Sequence, residues 1–212
     1  MSPTATRSTA SNRHDFVYLA SQSPRRRQLL EQIGVRYELL LPDADEDAES
    51  LEAVLPGEAP TTYVERVTLA KLEAARERLK RRKLPSAPLL CSDTTVALGR
   101  SIFGKPQDAD DARRMLAELS GKEHRVITAV AVGTTRRAEC RVNTSQVRFA
   151  LVAPGQIDRY VESGEPMGKA GAYAIQSQAA AWIERIAGSY SGIMGLPLHE
   201  TALLLQRFGV RF

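Results

Sequence analysis

The stretch Phe16-Val17-Tyr18-Leu19-Ala20-Ser21-Gln22-Ser23-Pro24-Arg25-Arg26-Arg27 decides how the chain begins to fold. Phe16 to Ala20 is a short apolar run with β character, and Ser23-Pro24 supplies a capping residue followed by a proline suited to the first helical position. A strand therefore feeds a helix. That helix turns Leu29, Leu30 and Ile33 inward and stops at Gly34, a residue suited to the left-handed position past a helix end. Such a junction aims backbone N–H groups and the positive end of the helix dipole at one spot, where Ser21, Ser23, Arg25 and Arg26 add hydroxyl and guanidinium donors. A phosphate fits there. A plain helix cap with solvated arginines is the other reading of this segment taken alone.

Working outward, Tyr37 to Leu41 reads as a second strand, and Pro42 to Pro60 is acidic and punctuated by proline. Thr62-Tyr63-Val64-Glu65 has the capping-box form that opens a long helix to about Lys83, with Val64, Val67, Leu72, Ala75 and Leu79 forming one apolar stripe. Leu89 to Ser92 is a brief strand ending in Asp93-Thr94, and Gly99-Arg100-Ser101 is a turn that delivers Lys105-Pro106. Asp108 caps a helix through Leu119. His124 to Thr135 and Arg141 to Val152 read as long strands paired antiparallel. A helix from Pro154 to Ser163, a strand around Trp182 to Ile186 and a last helix to about Phe208 complete the chain. With no internal repeat and no long linker, this order predicts an α/β fold: a mixed sheet flanked by helices, with two lobes around a cleft. Residues 16–212 form a single domain behind a flexible N-terminal extension, 1–15, which is polar and lacks the apolar core of a secretory signal.

Composition narrows the function classes. The 212 residues are 43% hydrophobic and 25% charged, and no apolar run approaches the length of a membrane helix. The net charge of +4 is only mildly basic and aromatics make up 6%, so a stable nucleic-acid partner is not expected. The basic run Lys80-Arg81-Arg82-Lys83 falls at a helix end, where cations complement the carbonyl-rich terminus. Cys91 and Cys140 stand far apart and suggest neither a disulfide framework nor a zinc site, which suits a reducing, cytoplasmic setting.

Several isolated residues can carry chemistry. Asp93 can hold a metal ion or orient a water, or simply form a turn. Lys71 interrupts the apolar stretch Val67-Thr68-Leu69-Ala70-Lys71-Leu72 and either snorkels to solvent or reaches into a cleft, and Lys105 has the same two readings. Glu46 lies among Asp43, Asp45, Asp47 and Glu49, and nothing local singles it out. Cations with a few carboxylates fit a polyphosphate bound through a divalent metal better than acid–base chemistry on a neutral substrate. His14, His124 and His199 are isolated, so no Ser-His-Asp set or histidine metal site is supported, and no P-loop or dinucleotide fingerprint occurs.

The combination Leu19-Ala20-Ser21-Gln22-Ser23-Pro24-Arg25-Arg26, Ser92-Asp93-Thr94, Gly104-Lys105-Pro106, Lys169-Ala170-Gly171-Ala172-Tyr173, Gly188-Ser189-Tyr190 and Gly195-Leu196-Pro197-Leu198 resembles the Maf family of nucleotide pyrophosphatases, first known as septum-formation inhibitors. The resemblance implies a fold similar to that of the inosine-triphosphate pyrophosphatases, an active-site cleft and a homodimer. It also implies roles: Asp93 as proton acceptor, Glu46 with Asp93 at a Mg²⁺ or Mn²⁺ ion, and Ser21, Arg26, Lys71 and Lys105 on the phosphates. Lys169 to Gln176 looks like the dTTP/UTP branch, in which Arg25, Thr94 and Gln176 are associated with choice of base. Ser177-Gln178-Ala179 and Gly192 depart from the usual pattern. The implied reaction is attack of water at the α-phosphorus of a nucleoside triphosphate, with pyrophosphate leaving. The rivals are the same reaction on a modified base such as 7-methyl-GTP, and a cell-division regulator that only binds the nucleotide.

Overall fold

The computed structural model describes residues 13–44, 46, 47 and 50–212. Strand β1 (Val17–Leu19) leads into helix α1 (Pro24–Gln32), with Pro24 opening the helix as expected, and β2 (Tyr37–Leu39) follows. Helix α2 (Pro60–Arg81) begins at Pro60 rather than Thr62, with Ala59 as its cap. The proline ring presets a helical φ and lacks the N–H that a helix start leaves unpaired, so the helix opens there. Next come β3 (Leu89–Leu98), β4 (Ser101–Phe103) and α3 (Ala109–Leu119), whose cap is Asp108 accepting from the Asp111 N–H at 2.8 Å. The long pair β5 (Glu123–Gly133) and β6 (Ala138–Phe149) precedes α4 (Pro154–Glu162), β7 (Ile183–Ala187), α5 (Tyr190–Met194) and α6 (Leu198–Arg207).

The strands form one mixed sheet in the order β2-β1-β3-β5-β6-β7, with β4 joined to β3 off that path. β1 pairs parallel with β2 and β3, and the remaining pairs are antiparallel. Side chains alternate across β3, so each face builds its own core. Leu89, Cys91 and Ala97 meet the α2 stripe of Val64, Val67, Leu72, Ala75 and Leu79. Leu90 and Val96 point the other way, into a larger core with Leu29, Leu30, Leu116 and Leu204. Each such leucine or valine contributes about 1.5–3 kcal/mol by leaving water.

The sheet forks at β3. This strand pairs with β1 only at Leu89 and Leu90, and with β4 only from Val96 to Leu98, while β5 covers its opposite edge throughout. Residues 91–95 consequently present an edge with no strand partner. Asp93-Thr94, expected at a strand end, lies mid-strand at this gap, because β3 runs on to Leu98.

The N-terminal boundary also differs from expectation. The His14 N–H donates to the Gly209 carbonyl at 2.8 Å and the Arg211 N–H donates to the His14 carbonyl at 3.0 Å, so residue 14 joins the folded body. The rest of the expected extension, residues 1–12, lies outside the described residues, as do Asp45 and Glu49 of the acidic loop. Among the described residues no helix is long and apolar enough to cross a membrane.

Candidate active site

The gap in β3 opens into a cleft of about 1090 Å³, large enough for a nucleotide with its phosphates. Ser21, Ser23, Arg25, Arg26, Glu46, Lys71, Asp93, Thr94, Lys105 and Gln176 all line it. Every residue singled out from the sequence therefore faces one space, although they come from loops, strands and helices far apart in the chain.

One wall is the β1–α1 junction. Ser23 makes no side-chain cap bond, which leaves the first N–H groups of α1 available to an anion. Arg26 donates from Nε to the Gly195 carbonyl at 2.8 Å and from Nη1 to Ser21 Oγ at 3.0 Å, while the Ser92 hydroxyl shares its proton between the Ala129 carbonyl at 2.8 Å and the Gly195 carbonyl at 3.0 Å. The guanidinium is thus held in one orientation. Burial pulls its pKa below the ordinary arginine value, with Asp93 opposing that effect, and it remains a cation. Arg25 donates to the Met194 carbonyl at 3.3 Å, and burial lowers its pKa as well.

The open strand edge carries the acid. Asp93 sits on the face of β3 that looks toward α2, where Lys71 Nζ approaches Asp93 Oδ1 at 2.6 Å. Lys71, rather than snorkelling to solvent, reaches into the cleft. Its ammonium also meets Glu52 Oε1 at 2.7 Å, and Lys105 Nζ bonds both Glu52 oxygens at 3.1 and 2.9 Å. Burial alone would raise the Glu52 carboxyl, but Lys71 and Lys105 outweigh it, and its pKa lies below the usual value. Tyr63 fixes the segment by donating from its hydroxyl to the Glu52 carbonyl at 2.9 Å.

Glu46 lies elsewhere in the cleft. Its carboxylate accepts from Arg78 at 3.0 and 2.5 Å, from Arg81 at 2.5 Å and from the Asp43 N–H at 3.3 Å. Arg78 above all holds its pKa down at about 2. It is Glu52, not Glu46, that shares a lysine with Asp93. The basic run ending α2 is partly neutralised here, since Arg81 and Arg82 both bind Asp43.

The opposite face of β3 carries Thr94, which lines the cleft, and Val96, which meets the loop that carries Gln176. This loop packs flush on the strand: the Gly171 N–H donates to the Gly104 carbonyl at 3.0 Å, and a Cβ on Gly171 would stand 2.8 Å from a Val96 methyl. Gly171 has φ +67°, so glycine answers both the space and the backbone. Glu165 anchors the far side, accepting from the Tyr160 hydroxyl at 2.8 Å and from Ser177 Oγ. Tyr173 in the same loop meets His124 Nε2 at 2.8 Å. Gln176 itself is exposed on the cleft wall. Gly192, a departure from the expected pattern, has a reason in packing, since a Cβ there would fall 2.9 Å from Asn143 Oδ1.

Glu52, Thr128 and Glu165 also hold the walls of this cleft, and nothing in the sequence reading singled them out. Glu52 sits in the short turn Ser50–Glu52, with no periodicity to mark it. Thr128 carried a usable signal, a hydroxyl inside the apolar run Val126-Ile127-Thr128-Ala129-Val130. A buried polar group there needs a partner.

Fixed guanidinium groups, a helix start and a lysine-held carboxylate on a bared strand edge make a cleft whose chemistry suits a phosphorylated ligand. The chain belongs to the family described as Maf-like protein, which it matches over residues 16–208. It is 67% identical over 197 residues to the dTTP/UTP pyrophosphatase of Albidiferax ferrireducens, covering 93% of this chain and 98% of that one. A protein of the same name from Polaromonas sp. is 64% identical over 93% of this chain and 98% of its own length. Another, from Cupriavidus pinatubonensis, is 60% identical over 94% of this chain and the whole of its own. Among solved structures, the Ham1 protein of Staphylococcus aureus matches 64% of this chain and 72% of its own, at 12% identity and a TM-score of 0.43.

Proposed function

We propose that this protein hydrolyses dTTP and UTP to the monophosphate and pyrophosphate. Water adds to the α-phosphorus, the bond from that phosphorus to the oxygen bridging to the β-phosphate breaks, and the water proton passes to Asp93. The observation that carries this reading is the Lys71–Asp93 contact of 2.6 Å on the bared edge of β3. The ion pair with Lys71 fixes where that carboxylate points, and a carboxylate oxygen can accept a proton. Arg26 and the start of α1 bind phosphate oxygens from the facing wall, while Lys71 and Lys105 offset the charge that grows on the leaving pyrophosphate. Selection of the α-phosphorus is a matter of where these groups hold the chain of phosphates.

Among the described residues no three acidic, histidine or cysteine side chains gather as a metal cage. A triphosphate enzyme needs less, because Mg²⁺ is commonly held by one or two carboxylates together with the phosphates themselves. Asp93 and Glu52, converging on one ammonium, fit that demand, and Glu46 fits it less well because Arg78 and Arg81 already hold it. A bound Mg²⁺ or Mn²⁺ would supply Lewis-acid neutralisation of phosphate charge.

Gln176 and Thr94 read the base in this account, with Arg25 beside them. An amide offers one donor and one acceptor, which match the O4 acceptor and N3–H donor of uracil and thymine. The free thiols of Cys91 and Cys140 support a cytoplasmic setting. A homodimer rests on the family resemblance and is checked by sedimentation.

A panel of ordinary and modified nucleoside triphosphates tests the proposal, scoring pyrophosphate against orthophosphate with Mg²⁺, Mn²⁺ or chelator. Pyrophosphate release fastest from dTTP and UTP, and abolished by chelator, is the expected result. Preference for 7-methyl-GTP would move the assignment to another base, and binding without turnover would leave the regulator reading.

A further inference from the structure

Thr94 and Thr128 face each other as register partners on β3 and β5. Thr128 is buried, and its Oγ1 donates to the Gly192 carbonyl at 2.7 Å. A carbonyl can only accept and a hydroxyl has one proton, so the Thr128 proton is committed to Gly192. The Thr94 and Thr128 oxygens stand 2.9 Å apart. With the Thr128 proton already used, the hydrogen in that contact belongs to Thr94. Thr94 Oγ1 therefore turns only lone pairs toward the cleft it lines.

The carbonyl at the end of this chain is itself fixed. The Ile193 N–H of the same peptide donates to the Ser189 carbonyl at 3.0 Å, and the Gly192 carbonyl also accepts from the Gly195 N–H at 2.9 Å. Rotation of that peptide would cost both bonds. The donor sense of the whole relay, from Thr94 to Thr128 to Gly192, is set by the backbone.

We infer that Thr128 is a specificity-determining positioning residue, which makes Thr94 an obligate hydrogen-bond acceptor for the N3–H of uracil or thymine and so excludes cytosine. The inference rests on the proposal that the cleft takes these bases. Gln176 cannot make this distinction alone, because its amide can flip to match either the uracil edge or the reversed pattern of cytosine. Cytosine brings a bare N3 acceptor against the Thr94 oxygen, and two lone pairs then oppose each other in a partly desolvated site. Removing the Thr128 hydroxyl frees Thr94 to rotate and donate, which suits cytosine.

The experiment is kcat/KM for UTP and CTP with the full chain, its Thr128→Val variant and its Thr128→Ser variant. Thr128→Val keeps the side-chain shape and is expected to lower the UTP-to-CTP ratio by about tenfold, chiefly through faster CTP turnover, the size of one hydrogen bond gained and one weakened. Thr128→Ser keeps the hydroxyl and is expected to keep the ratio. Equal losses for both nucleotides in Thr128→Val, or an unchanged ratio, overturn the inference. Should Thr128→Val fail to fold, the unaltered protein is compared on UTP and 3-deaza-UTP, in which a C–H replaces the N3–H. An approximately tenfold preference for UTP is expected there, and equal turnover overturns the inference. An unaltered protein with no preference for UTP over CTP would count against the base assignment itself, whereas a preference that survives Thr128→Val removes only the role of Thr128.

Discussion

Replacing Asp93 by asparagine isolates its charge from its shape. The carboxylate lies 2.6 Å from Lys71 Nζ, and the two side chains are 11% and 20% exposed, so the pair is largely but not wholly dry. Breaking a buried pair typically costs about 3–5 kcal/mol when it leaves a charge without a partner. Lys71 keeps one here, because Glu52 Oε1 remains at 2.7 Å. The stability loss for Asp93→Asn is therefore set nearer ~1–2 kcal/mol, a few degrees in Tm for a chain of this size. Such a loss leaves almost all molecules folded at 25 °C. Turnover should fall much further, by about 10²–10⁴-fold, since an amide neither accepts a proton well nor neutralises a cation. The assay is kcat/KM for UTP alongside a thermal melt of the same preparation. A folded Asp93→Asn protein within about threefold of the unaltered activity would remove Asp93 from proton transfer, because a general base contributes at least ~10²-fold.

Gln176→Ala is expected to lower kcat/KM for UTP and dTTP by about 5- to 150-fold while affecting poor substrates far less, because it leaves the base edge unpaired. Equal losses on every base would make Gln176 a structural loop residue. Stability should also respond to pH through His124, whose burial pushes its pKa from 6.5 down to about 4. The unfolded chain takes up that proton first as pH falls, so the contribution is complete above about pH 6.5 and is lost progressively toward pH 4. The loss is on the order of 3 kcal/mol. Urea unfolding of the unaltered protein and of His124→Gln between pH 7 and pH 5 checks this, with the variant expected to show the shallower slope; identical slopes would mean that other groups govern the decline.

The strand-to-helix junction at Ser21 to Arg26 was legible because its signals are local: an apolar run, a capping residue and a proline that starts a helix. The α2 stripe was legible for the same reason, and the position of Lys71 within it narrowed its role to two choices. The cleft was not legible as geometry. It exists because β3 exchanges β1 for β4 along one edge, and strand pairing across that distance leaves no mark on neighbouring residues. Ser92-Asp93-Thr94 read as a strand end because polar residues seldom continue a buried strand. They continue this one because the missing partner turns that edge into a wall for a polar ligand. Glu46 entered by family resemblance, whereas Glu52 has no local mark and emerges only when α2 and the segment after β4 bring two lysines to it. Thr128 was discoverable in principle, as a hydroxyl in an otherwise apolar strand, but its partners on β3 and α5 depend on the sheet register.

Hydrolysis of UTP in ¹⁸O-water, followed by mass analysis of both products, tests the central claim most directly. Attack at the α-phosphorus, with Asp93 taking the proton, places one ¹⁸O in the monophosphate and none in the pyrophosphate. Label in the pyrophosphate would mean attack at the β-phosphorus, and the placement of Asp93, Lys71 and Arg26 around the phosphates would then be wrong.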